Sequence, residues 1–179
     1  MKPAHVTLGL GANLGDREAT LATALRWLGE RDLLVVTAVS PIVESEAHSL
    51  RPSADSDAPA PSYLNQVAQG HTQLQPLPLL AALQKIEAEC GRDREREGPW
   101  GARRLDIDIL DFDSLQLSTP QLVLPHPRIA ERTFVLMPWA ALAPEQRVPG
   151  LDATIAELLA APGRAGWVRW WQSEEEVSR

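Results

Sequence analysis

Residues 100–112 read Trp-Gly-Ala-Arg-Arg-Leu-Asp-Ile-Asp-Ile-Leu-Asp-Phe, and between Leu105 and Ile109 apolar residues alternate with aspartates. Side chains on a strand alternate between faces, so Leu105, Ile107 and Ile109 point one way and Asp106 and Asp108 the other. Two carboxylates at i and i+2 on one face sit roughly 7 Å apart and repel unless a cation lies between them or water screens them. Hard oxygen ligands of this kind suit magnesium, which takes one or two carboxylates and completes its shell with substrate phosphates. Arg103 and Arg104 directly precede the pair. A guanidinium beside such a site grips phosphate, so metal and arginine together fit a polyphosphate. The plainer reading of an Asp-x-Asp is an edge strand with a solvated acidic face.

Other residues extend the first reading. Tyr63 and Asn65 share a face at period two, where an aromatic ring beside a carboxamide can stack on a flat heterocycle and hydrogen-bond its edge. Residues 92–99 alternate in charge and carry Arg92, Arg94 and Arg96 towards Trp100; most charge runs are solvated loops, but this one can act as a clamp. His126 lies between Pro125 and Pro127, which fix its backbone direction, with Arg128 and Arg132 following and Phe134 two residues beyond. Together these groups suit transfer of a phosphate-containing group from a magnesium-bound nucleotide to a flat acceptor held by stacking, with positioning and charge neutralisation doing most of the catalysis.

The elements that must hold these residues follow from periodicity. Residues 5–10 read as a first strand running into a glycine turn at Gly9, Gly11 and Gly15, with Asp16 as N-cap of a helix whose stripe is Leu21, Ala24, Leu25 and Leu28. The turn spacing, Gly-x-Gly-x-x-x-Gly, is a weak match to a dinucleotide fingerprint and lacks a P-loop lysine. A second strand covers 33–39 and continues past Pro41 towards Glu46, a Pro- and Ser-rich loop covers 48–61, and a third strand covers 62–72. Residues 76–90 form a helix with Leu79, Leu83, Ile86 and Cys90 as its core stripe and Gln84 and Glu87 on a neighbouring face. Pro138 opens a short helix through Leu142, Asp152 caps a helix over 154–161, and the aromatic segment 167–171 packs on the domain ahead of a frayed acidic tail at 172–179. Strands and helices in this irregular order suit an α/β (α+β) fold with a mainly antiparallel sheet covered by helices.

Composition limits the alternatives. The chain has 179 residues, 44% of them hydrophobic, which predicts one domain over 1–179. Lys and Arg total 17 against 24 Asp and Glu, for a net charge of −7, which argues against a nucleic-acid partner or binding to an anionic membrane. With one cysteine, no long apolar run and no signal-peptide pattern, a soluble cytoplasmic protein is expected; a monomer is the expected state.

Several of these motifs occur in one order: Gly11-Ala-Asn-Leu-Gly-Asp16, Tyr63-Leu-Asn65, Gln84-x-Ile-Glu87, Gly91-Arg-x-Arg94, Trp100-Gly-Ala-Arg-x-Leu-Asp106-Ile-Asp108, Pro125-His-Pro and Arg132-x-Phe134. Over residues 5–145 the chain closely resembles the 6-hydroxymethyl-7,8-dihydropterin pyrophosphokinases of folate biosynthesis. The resemblance implies a ferredoxin-like fold with helices on both faces of the sheet, and transfer of the β,γ-pyrophosphate of ATP to the pterin hydroxymethyl group with release of AMP. It implies that Asp106 and Asp108 ligate two magnesium ions and that Arg92 and Arg103 neutralise the triphosphate. Gln84, Glu87, Arg94, Trp100, Ile109, His126 and Arg132 match other ATP-side positions. Tyr63 and Phe134 match the walls that sandwich the pterin, and Asn65 the residue that reads its edge. The pattern departs at residues 44–50, where a Thr-Pro-Pro-type segment is replaced by Glu-Ser-Glu-Ala-His-Ser-Leu, and at Pro99 and Gln121. The first departure leaves open a relative acting on another pterin-like alcohol. A noncatalytic nucleotide-binding module is the alternative from another class.

Overall fold

The computed structural model describes residues 2–46, 61–91, 104–164 and 166–172. The chain is a mixed α/β structure in which an antiparallel sheet is packed with helices. In order the elements are β1 (Ala4–Ala12), α1 (Arg17–Glu30), β2 (Val35–Val39), β3 (Val43–Ser45), β4 (Tyr63–Thr72), α2 (Pro76–Glu89), β5 (Asp106–Phe112), β6 (Leu117–Ser118) and β7 (Val123–Leu124). A 3-10 turn (Ile129–Glu131), α3 (Thr133–Leu142), α4 (Ile155–Ala160) and β8 (Val168–Trp170) complete them. Among the described residues six strands form one sheet in the order β5-β1-β4-β3-β8, with β2 also on β4, and every pairing in it is antiparallel. A small hairpin, β6-β7, stands apart.

Strand alternation divides the buried residues into two clusters. Val6, Leu8, Leu10 and Ala12 of β1 join Leu64 and Ala68 of β4, Ile107 and Ile109 of β5, and the stripes of α1 and α2. Val67 of β4 and Leu110 of β5 belong instead to a second cluster with Val135, Leu136 and Trp139 of α3 and Ile155 of α4. Leu110 reaches it by alternation, on the face of Asp106 and Asp108; beyond it a bulge shifts the β1-β5 register, which pairs Leu8 with Ile109 but Thr7 with Asp111. Cys90 ends the α2 stripe half-buried against the first cluster, where burial pushes its thiol up, as suits a packing role.

Several expectations are corrected. Gly9 and Gly11 lie inside β1, not in a turn, and of the three turn glycines only Gly15 takes a positive φ, +67°. The second strand is in two pieces because Pro41 has no N–H for the ladder. Ser40 mends the gap: its amide donates to Val67 O at 2.9 Å, and its hydroxyl accepts from Val67 N at 3.0 Å. Pro138 does not open α3 but sits inside it, two turns from the Arg132 N-cap. An internal proline costs about 3 kcal/mol. Burial of Val135 and Leu136, at roughly 1.5–3 kcal/mol each, together with the indole of Trp139, offsets that cost. The last helix is capped by Thr154, not Asp152, since Thr154 and Glu157 complete a capping box. Segment 167–171 is more than packing: β8 pairs with β3, Val43 opposite Trp170 and Ser45 opposite Val168. Most of the 48–61 loop and residues 173–179 lie outside the described residues.

Two glycines outside the site test this packing. A methyl on Gly70 would collide with the Val35 carbonyl and lie 2.8 Å from Leu34 Cγ, whereas one on Gly29 in α1 would meet nothing within 4 Å. Gly70→Ala is expected to destabilise by about 2 kcal/mol or more, and Gly29→Ala to stabilise by about 0.5–1 kcal/mol, read from denaturant midpoints.

Candidate active site

The site is built on the register of three adjacent strands. Asp106 of β5 lies opposite Gly11 of β1, which lies opposite Asn65 of β4; one step along, Asp108 faces Gly9, which faces Val67. Directly paired residues of antiparallel strands share a face, so the two carboxylates and Asn65 stand on the same side of the sheet. Between them β1 presents only glycines. A methyl on Gly11 would lie 3.1 Å from Asn65 Oδ1 and 3.9 Å from Tyr63 Cδ1, and one on Gly9 would press on Leu110 at 3.4 Å. The backbone of β1 is thus the floor of a lane with acid on one bank and an amide and a phenol on the other.

Asp108 on the acidic bank is paired with a guanidinium. Arg132, the N-cap of α3, donates from Nη1 to Asp108 Oδ2 at 2.6 Å. His126 Nε2 lies 3.8 Å from the same oxygen, and all three side chains are mostly buried. His126 is held on both sides, its amide donating to Leu110 O at 2.9 Å and its Nδ1 accepting from Arg128 N at 3.1 Å. The neutral ring therefore carries its proton on Nε2, directed at the acidic bank. Burial pushes the imidazole below its ordinary value; Asp108 opposes this, while Arg132 and Arg128 reinforce it.

The other expected residues divide. Glu87 is buried at 1% exposure and accepts from Ile107 N at 2.8 Å, so this carboxylate ties α2 to β5 between the two aspartates. Gln84 is half-buried on the same helix. The Ile109 side chain is in the first core cluster, leaving only its backbone to meet a ligand. Phe134 is half-buried in the first turn of α3, with the Arg132 guanidinium 5.8 Å from its ring centre. Arg92, Arg94, Trp100 and Arg103 lie outside the described residues.

Residues not singled out from the sequence complete the amide bank. Ser45 accepts from Asn65 Nδ2 at 2.8 Å, orienting the amide so that Oδ1 faces Gly11. Behind it, buried Glu44 accepts from Ser62 Oγ at 2.6 Å, Arg17 at 3.2 Å and Arg169 at 2.6 Å. Burial raises this carboxyl, but Ser62, Arg169 and Arg17 outweigh it and hold the group below the usual range. Arg17 also donates to Ser62 O at 2.9 Å, which anchors the chain immediately before Tyr63.

The family model described as 7,8-dihydro-6-hydroxymethylpterin-pyrophosphokinase (HPPK) matches residues 7–144. The chain belongs to this family. It is similar to the 2-amino-4-hydroxy-6-hydroxymethyldihydropteridine pyrophosphokinase of Bacillus subtilis, 40% identical over 150 residues that cover 84% of this chain and 83% of that one. The enzyme of the same name from Pseudomonas aeruginosa is 40% identical over 157 residues, covering 88% and 91%. Among solved structures, an HPPK-DHPS in complex with substrates matches with a TM-score of 0.68 at 13% identity, over 89% of this chain and 43% of that one. A Plasmodium falciparum HPPK-DHPS with pteroate matches with a TM-score of 0.66 at 16% identity, over 88% and 42%. This chain therefore spans less than half the length of those two structural neighbours, and the likeness to them is one of fold. No helix among the described residues is long and apolar enough to cross a membrane.

In the ligand-free protein, imidazole NMR is expected to show His126 titrating below its ordinary value of about 6.5. Asp108→Asn is expected to lower it further and Arg132→Ala to raise it. Because folding favours the neutral ring, this contribution to stability is complete above about pH 6.5 and is lost as pH falls through the folded-state value.

Proposed function

We propose that this chain transfers pyrophosphate from ATP to the hydroxymethyl group of 6-hydroxymethyl-7,8-dihydropterin, giving the pterin diphosphate and AMP in folate biosynthesis. The observation that carries this reading is the lane itself, with phosphate-side groups on one bank and heterocycle-side groups on the other, separated by a strand without side chains. The acceptor oxygen bonds to the β-phosphorus of ATP, the bond from that phosphorus to the α,β-bridging oxygen breaks, and the bridging oxygen leaves on AMP. The hydroxyl proton passes to a phosphate oxygen or to water, so no protein base is required.

Tyr63 and Phe134 sandwich the pterin, and Asn65, aimed by Ser45, reads its edge. Such an acceptor reaches the acidic bank across Gly9 and Gly11. Arg132 and the Nε2 proton of His126 serve the phosphates, with Arg92, Arg94, Trp100 and Arg103 contributed from the chain between α2 and β5. Gln84 and the backbone of Ile109 meet the nucleotide, and Glu87 supports it by holding β5. Asp106 and Asp108 fit magnesium by their chemistry: two oxygen donors on one face, with open backbone opposite. Two magnesium ions held there would neutralise charge developing on the transferred group. Among the described residues no group of three or more carboxylate, histidine and cysteine side chains is arranged to hold a metal, so the rest of that shell falls to phosphate and water. Arg132 balances Asp108 in the ligand-free protein and, among the described residues, is a cation placed to turn to an arriving phosphate.

The reading extends to the fold and the cell. The helices lie on both faces of a ferredoxin-like sheet, residues 1–179 form one pyrophosphokinase domain with a variable loop at 48–61, and the protein is a cytoplasmic monomer. Net charge of −7 supports small-molecule substrates and no nucleic-acid partner.

Phosphorus NMR of the protein with ATP, magnesium and 6-hydroxymethyl-7,8-dihydropterin is expected to show AMP and a pterin diphosphate. ADP, or no turnover with the nucleotide bound, overturns this reading. Turnover of a related alcohol in preference to this pterin points to the altered 44–50 segment as a specificity change. Asp106→Ala and Asp108→Ala are each expected to lower AMP formation at least about 10³-fold in a folded protein. Near-normal rates in either variant refute their role.

A further inference from the structure

Arg164 lies beyond residues 7–144, the part of the chain that the family model matches, and its guanidinium is surrounded by carbonyl oxygens. Nη1 donates to Ala161 O at 2.6 Å and Leu159 O at 3.2 Å, and Nη2 donates to Leu158 O. These oxygens belong to the end of α4, where a cation is favoured by unsatisfied carbonyls and by the helix dipole. The remaining bond leaves the helix: Nε donates to Ala130 O at 2.8 Å, in the 3-10 turn. One planar group thus joins the end of α4 to a turn that Arg132 directly follows.

That turn determines where Arg132 points. The Arg132 amide donates to Ile129 O at 3.2 Å, and its carbonyl accepts from Val135 and Leu136, both at 3.0 Å, so its backbone belongs to the turn on one side and to α3 on the other. Its side chain is the one paired to Asp108 at 2.6 Å. Phe134 follows two residues later, and Arg132, Phe134, Leu158, Pro162 and Arg164 line a single cleft of about 550 Å³. The cleft lies between the turn and the end of α4, where Ile129 packs in one cluster with Leu158 and Leu159, and the Arg164 bond to Ala130 O adds a polar link between them.

We propose that Arg164 is a positioning residue for substrate binding, holding the 3-10 turn so that Arg132 is presented to the phosphates and Phe134 to the acceptor. The proposal rests on the assignment of Arg132 to ATP. Lysine cannot replace it, since an ammonium has no planar fork to span carbonyls of two elements.

The test is a double-mutant cycle with KM for ATP and kcat measured separately and folding followed by thermal melting. Arg164→Ala is expected to raise the KM for ATP about tenfold with kcat within about twofold, and Arg164→Lys to leave most of that defect in place. In an Arg132→Ala background, Arg164→Ala is expected to add nothing further. If Arg164→Ala does not fold, Arg164→Lys takes its place in the cycle. A lowered melting temperature with unchanged KM, or effects that add in the double variant, overturns the positioning role. An unchanged KM in Arg132→Ala alone overturns the assignment of Arg132 to ATP instead.

Discussion

The constraint on which the site depends is the register of β1 between β5 and β4. Because antiparallel partners share a face, the alternation that puts Asp106 and Asp108 on one side of β5 has to be met across β1 by Gly11 and Gly9, and across β4 by Asn65 and Val67. A slip of one residue would turn the aspartates into the cluster formed by Leu8, Leu10, Ile107 and Ile109, so burial of that cluster holds the register. Glycine in a central strand weakens it, and here two of them are tolerated because β1 is paired along both edges. Leu110, on the same face two residues beyond Asp108, ends the lane by lying over Gly9 and reaching the α3 cluster.

Electrostatics follows from the same geometry. Two carboxylates brought to one face need counter-charge, and Arg132, 2.6 Å from Asp108, supplies part of it before any ligand arrives. A half-buried imidazole nearby stays neutral and offers one N–H, which suits it to meet phosphate oxygens without adding repulsion towards Arg132. On the other bank a buried carboxylate and its two arginines are kept away from the lane. Glu44 there pairs with both Arg17 and Arg169, behind Ser45 and Tyr63.

Much of this was legible from local pattern. The Asp-x-Asp alternation, the α2 stripe and the Asp16 cap depend on near neighbours in sequence, and each is found as expected. What escaped depended on partners far along the chain. Gly9 and Gly11 resemble turn residues until it is known that they pair on both sides. Their period-two spacing opposite Asp-x-Asp was the available signal. Segment 167–171 became a strand because β3 offered a free edge, and Glu87 became a support because Ile107 N, 20 residues on, needed an acceptor. Thr154 was distinguishable from Asp152 as a cap, since only Thr154 has Glu157 three residues later.

The central claim is that the bare backbone of β1 is where acceptor and phosphates meet. Calorimetry of a Gly11→Val variant tests it most directly, because valine favours strand geometry while filling the lane beside Asn65. The expected result is loss of 6-hydroxymethyl-7,8-dihydropterin binding by at least about a hundredfold, with magnesium-ATP affinity within about threefold of the parent protein. Pterin affinity unchanged in a folded Gly11→Val protein would contradict the claim and place the acceptor elsewhere on the sheet.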